Sequence, residues 1–245
     1  MIKRRIRNYL SASTFGSLIL ALTAPQPLLA GNFNVDPVHI TLRGGQSSTP
    51  VEVTNFETTP LSLRVSALSW RQDGGDDVHE ETKDVIVSPP IFTIPPGGKQ
   101  VVRIGLRGRQ GSAPAYRIIV REIPNADPEP GTVQVALEMN LPLYLIPNDK
   151  AQPRLDWTVA QQVDGQVTIE ARNSGTRQAQ VYRISTVDAR GKEVLLSEDV
   201  GAVLPGSLRR WSAGKQPALS AGPELALKLK GPDGETEVRA VVAKR

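Results

Sequence analysis

Apolar and polar side chains alternate along most of this chain in short runs. Residues 50–56 (PVEVTNF) and 61–70 (LSLRVSALSW) predict strands with one buried face. Residues 85–94 (VIVSPPIFTI) and 100–106 (QVVRIGL) flank a PPGG turn at 95–98, and 116–123 (YRIIVREI) and 132–146 (TVQVALEMNLPLYLI) follow. After the polar, proline-bearing segment 147–153 (PNDKAQP), the style resumes at 154–160, 166–172, 179–187, 192–197, 202–204, 208–211, 224–230 and 236–242. No stretch of that region sustains a helical period. Strands at this spacing, joined by Gly- and Pro-rich turns, predict an all-β chain built of sandwiches. The break at 147–153 predicts two domains, 31–147 and 148–245.

One segment stands apart. Val133, Val135, Leu137, Met139, Leu141, Leu143 and Leu145 recur at a period of two, which places all seven on one face of a strand. That apolar edge is unusually long for a small sandwich. Either the whole strand faces the core, or one end serves the core and the other is presented to a partner. An exposed apolar strand beside an open sheet edge invites aggregation unless it is used, and strand addition to a partner is a use.

Composition narrows the chemistry. The 245 residues are 39% hydrophobic, enough for packed cores. There is no cysteine, which excludes disulfides, thiolate metal sites and cysteine nucleophiles, and two histidines cannot build a His-rich metal site. The formal charge of +4 suggests nucleic acid until it is located. Lys3, Arg4, Arg5 and Arg7 head a short apolar run from Phe15 to Leu22, and the small residue Ala30 follows further on. This pattern predicts a secretory signal peptide, residues 1–30, cleaved after Ala30. The remaining 25 basic and 25 acidic side chains balance, so nucleic acid loses its electrostatic support. No later stretch reaches membrane-spanning length. Asp76, Asp77, Glu80 and Glu81 crowd His79, but in a Gly-containing polar segment that reads as a solvated hairpin tip. No nucleophile elbow, phosphate loop or HExxH occurs, so no enzyme activity, metal or cofactor is expected.

YRIIVREIP (116–124) followed by TVQVALEMNLPLYLIP (132–147) resembles the PapD-like periplasmic chaperones of the chaperone–usher pilus pathway. FNVDPVHITL (33–42), PVEVTNF (50–56) and PPIFTIPPGGKQVVRIGL (89–106) resemble that family's first-domain strands, and EARNSGTRQAQVYRI (170–184) and AVLPGSLRRW (202–211) its second domain. The missing cysteines and the LPLYLIP ending are closer to the archaic branch, which includes systems of the spore-coat-protein-U type. The resemblance implies two immunoglobulin-like domains set as a boomerang in the periplasm. It implies pilin subunits and an outer-membrane usher as partners, and a G1 strand donated to a pilin that lacks its own last strand. Val133, Val135, Leu137 and Met139 would be the donated side chains. The family also binds the pilin's terminal carboxylate with two basic residues. Here the first of those positions is His39. The second falls at Pro142, or at Asn140 if the register slips by two. Proline offers neither charge nor N–H, so the anchor is missing or rebuilt, and Arg117 is the candidate replacement. Pro60 lies where the family contacts its usher, and the short loop 124–132 resembles the subclass that builds rod-like pili. An apolar edge would also let the free chain cap itself by dimerising. The alternative from another class is a secreted or cell-surface Ig-like adhesive or structural module that keeps strand 132–146 in its own core.

Overall fold

The structure, a computed structural model, describes residues 32–108, 114–124, 135–188, 191–216, 219 and 222–243. The expected signal peptide 1–30, Val133 and most of the loop 124–132 lie outside these residues. Among the described residues there is no helix, so none is long and apolar enough to cross a membrane.

The first half holds Phe33–Asp36 (β1), Ile40–Arg43 (β2), Ser48–Asn55 (β3), Leu61–Asp73 (β4), Asp76–Glu81 (β5), Val85–Ser88 (β6), Ile91–Ile94 (β7), Lys99–Leu106 (β8), Ala115–Glu122 (β9) and Glu138–Ile146 (β10). One sheet runs β1-β3-β8-β6, and the other runs β2-β10-β9-β4-β5 with β7 also on β4. Alternating burial closes the sandwich. Val51, Val53, Val102 and Ile104 from the first sheet meet Leu63, Val65, Ile118 and Leu143 from the second. The expected strand 85–94 is two strands. Pro89 and Pro90 lack an N–H and cannot continue a ladder, and the chain changes sheets there: β6 pairs β8, β7 pairs β4. The chain changes sheets in the same way between β1 and β2, around Pro37.

The second half holds Leu155–Gln161 (β11), Gln166–Asn173 (β12), Ala179–Val181 (β13), Arg183–Val187 (β14), Glu193–Ser197 (β15), Gly201–Val203 (β16), Leu208–Lys215 (β17), Glu224–Gly231 (β18) and Gly234–Ala243 (β19). A seven-stranded sheet runs β15-β14-β18-β19-β11-β12-β17, and β13 pairs β16. The expected strand 179–187 is divided between β13 and β14. Trp157 and Trp211 stack in this core with ring centroids 5.7 Å apart.

Each half uses the same device at the end of one strand. Asn55 is fully buried, and its amide nitrogen donates to the carbonyls of Thr59 (2.9 Å), Ile94 (3.1 Å) and Pro95 (3.2 Å). Asn173 is fully buried too, and donates to the carbonyls of Arg177 (2.8 Å) and Val203 (3.0 Å). Each side-chain oxygen accepts a backbone N–H two residues on, from Glu57 and Gly175 respectively. Among the described strands, no ladder joins the two halves. They meet through a buried cluster: Trp70, Ala115 and Tyr144 against Ala202 and Leu204.

Candidate partner-binding site

The long apolar strand is graded along its length. Leu143 is fully buried and Leu141 is 5% exposed. Met139 packs on the core only in part, Leu137 is half-buried, and Val135 is 50% exposed. The ladder of β10 starts at Glu138, not at 132, so Val135–Leu137 form no strand. β9 ends at Glu122, whose N–H meets the Leu137 carbonyl, so no described strand runs beside the residues before it. On one side β10 pairs β9 from Glu138 to Tyr144. On the other side β2 reaches only Leu143–Ile146, so Glu138–Pro142 present an open edge. The carbonyl of Leu137 accepts the Glu122 N–H (2.9 Å), which directs the odd-numbered backbone groups toward β9. By the alternation of an antiparallel ladder, the even-numbered groups of Glu138, Asn140 and Pro142 point outward. Pro142 therefore sits where its missing N–H interrupts no bond to β9.

Arg117 stands opposite Pro142 in the β9–β10 ladder. His39 is exposed and lies one residue before Ile40, which pairs with Leu143, so it is level with Pro142 on the far side of β10. The side chain of Arg117 points away from the sandwich core. Its guanidinium carbon lies 3.7 Å from the centroid of the Trp70 ring. The Arg117 Nε is buried and bonds to nothing. Burial pulls the Arg117 pKa below the usual arginine value and Arg209 adds to that, while Tyr144 and Asp77 favour the charge. The residue stays a cation all the same.

The acidic hairpin corrects one expectation. Asp77 is not a solvated turn residue. Its Oδ1 accepts the Trp70 Nε1–H (2.9 Å) and the Gln72 amide (2.8 Å), and its Oδ2 accepts Arg209 from the second half (2.8 Å). Gln72 also donates to the Ala202 carbonyl (2.7 Å) and accepts the Leu204 N–H (3.0 Å). Burial alone would raise the Asp77 pKa, but these bonds outweigh it and lower it. His79 pairs across the hairpin with Trp70, and burial together with Arg117 lowers its pKa. A cleft of about 590 Å³ opens beside Tyr144, with His39, Arg177, Gln180 and Lys230 on its walls. Pro60 is exposed in the turn before β4, near the exposed Phe56. Among the described residues no group of His, Cys, Asp and Glu could hold a metal ion.

Residues 32–150 match the family described as "Pili and flagellar-assembly chaperone, PapD N-terminal domain". This half of the chain belongs to the PapD-like pilus-assembly chaperones. The chaperones of this family are periplasmic and are not enzymes. Solved structures share the fold of this chaperone across both halves. The chaperone CsuC, in complex with the tip subunit CsuE of the archaic Csu pili of Acinetobacter baumannii, superposes with a TM-score of 0.66 at 20% identity, covering 87% of this chain and 100% of that one. The SafB chaperone in complex with the SafA pilin of Salmonella enterica gives 0.60 at 14%, over 88% and 98% of the two chains. The E. coli chaperone DraB gives 0.57 at 18%, over 86% and 98%. No curated protein matches the sequence of this chaperone.

Proposed function

We propose that this chaperone captures pilin subunits by lending them the start of β10, and delivers them to an outer-membrane usher. The gradient from buried Leu141 to exposed Val135, beside the open edge Glu138–Pro142, carries this reading. A pilin lacking its last strand exposes apolar pockets and unpaired backbone groups. The outward N–H and C=O groups of Glu138 and Asn140 complete its ladder, while Val133, Val135, Leu137 and Met139 fill its pockets. Each such side chain contributes about 1.5–3 kcal/mol when fully buried, before ordering costs.

In this reading Arg117 replaces the family's basic pair as the anchor for the pilin's terminal carboxylate. It holds a cation and an unpartnered buried N–H in the row of Pro142. His39 flanks that row from β2. The exposed turn at Pro60 suits the usher, and the free edge of β10 suits a second copy of the chain when no pilin is present. Residues 1–30 serve as the export signal, cut after Ala30, and 31–147 and 148–245 are the two domains.

The test is to purify the tagged chain from cells expressing candidate pilins and identify what co-purifies by mass spectrometry. Wild type should bring down a pilin in a one-to-one complex, and Val135→Asp with Leu137→Asp should not. Equal pilin recovery with that variant would exclude strand donation through these residues.

A further inference from the structure

Arg117 would be a poor anchor if its side chain were free to swing. A long flexible cation loses rotamer freedom each time it orders on a ligand. Asp77, which favours its charge, cannot hold it, because that carboxylate is engaged by Trp70, Gln72 and Arg209. What holds Arg117 is the face of Trp70, at 3.7 Å. A guanidinium stacked on an indole keeps its N–H groups in the plane of the fork, free for an acceptor. Trp70 itself is fixed. It is 1% exposed, its N–H is tied to Asp77, and its ring lies 5.9 Å from that of Tyr144. Through Asp77 and Arg209 that fixture reaches the second half of the molecule.

We infer that Trp70 is a positioning residue for carboxylate recognition, holding the Arg117 guanidinium ready for the terminus of a partner chain. The inference rests on Arg117 being the anchor. It adds that the anchor works through a ring face supplied by a different strand, β4 rather than β9.

The experiment uses the pilin recovered with wild type, in its native form and with three residues added at its C-terminus to displace the carboxylate. Wild type is expected to prefer the native terminus about tenfold, the scale of one charge-assisted bond. Arg117→Ala sets the floor, with little preference. Trp70→Leu falls to that floor while still capturing pilin through β10, and Trp70→Phe, which keeps a ring face, retains most of the preference. The double variant Trp70→Leu with Arg117→Ala is no lower than Arg117→Ala alone. A general loss of folding would weaken both pilin forms alike and leave their ratio unchanged. If Trp70→Leu does not fold, Trp70→Met fills much of the same volume without a π face and is expected at the floor. Full preference in Trp70→Leu or Trp70→Met, or a Phe variant as weak as Leu, would overturn the role of Trp70. Full preference in Arg117→Ala would instead remove the anchor itself.

Discussion

Asp77 and Arg209 are 132 positions apart in the chain and meet at 2.8 Å where the two sandwiches touch. Both side chains are largely buried, at 23% and 17% exposure, so the pair is not a screened surface contact. Asp77 also receives Trp70 and Gln72, and Gln72 is bonded to Ala202 and Leu204. Asp77→Ala should therefore cost about 1–3 kcal/mol, since charged hydrogen bonds are lost and donors are left unpaired. Spin labels on the two halves should report a broader distance distribution. Gly201 offers a second route to the same outcome. A β-carbon there would run into the Arg209 guanidinium. Gly201→Ala should displace Arg209 and broaden the distribution without touching Asp77. A distribution as narrow as wild type in both variants would show that the Asp77–Arg209 pair does not hold the halves in place.

The same groups set a pH dependence. The folded pKa of Asp77 is lowered, so its contribution is present above the ordinary aspartate range and is lost as pH falls through the folded value. His79 is also lowered, by burial and by Arg117. A lowered histidine resists protonation in the folded state, so stability declines as pH falls past the ordinary histidine value, about 6.5. Denaturation midpoints followed from pH 8 to pH 3 should show a shallow decline first and a steeper one below about pH 4. His79→Gln should remove the first and Asp77→Asn should reduce the second. Identical curves for all three proteins would contradict this assignment.

Along β10, the cost of substitution should change steeply over a few residues. Leu143→Ala removes a fully buried side chain and should destabilise by about 2–5 kcal/mol. Val135→Asp alters a half-exposed position outside the ladder and should stay within about 0.5 kcal/mol of wild type. Thermal melts of the purified chains separate the two. A Val135→Asp variant as unstable as Leu143→Ala would mean that this segment belongs to the chain's own core.

The two buried asparagines give a matched pair. Asn55→Ala takes a buried donor from the carbonyls of Ile94 and Pro95, the second of which keeps the Gly98 N–H, and Asn173→Ala takes one from those of Arg177 and Val203. Each should cost about 2–3 kcal/mol through buried groups left unpaired. Hydrogen exchange should show the loss of protection confined to the half that carries the substitution. Spread across both halves, it would indicate a single cooperative unit.

Much of this architecture could be read from alternation. Period-two runs such as PVEVTNF and VTIEA became strands because one face of each is covered, and that is a local property of the sequence. The sheet changes at Pro37 and Pro89 were harder. A proline announces that a ladder stops, but not that the chain continues in the opposite sheet. The long apolar segment was legible in its spacing and illegible in its extent. Whether Val135 is paired depends on where β9 ends, and β9 stops at Glu122, opposite Leu137. Asp77 shows the limit most plainly. In sequence it is one of several acids around a glycine turn, and the bonds from Trp70, Gln72 and the distant Arg209 that distinguish it from Asp76 come from the fold.

Pro142 has a consequence for how far a visiting strand can travel. A chain laid on the open edge of β10 from the Val135 end finds outward N–H donors at Glu138 and Asn140, and none at Pro142. Two residues further on, β2 already occupies the edge. Under the proposed strand capture, annealing would have a fixed terminus, measured in rungs, and a partner strand that overshoots would gain nothing for the extra length.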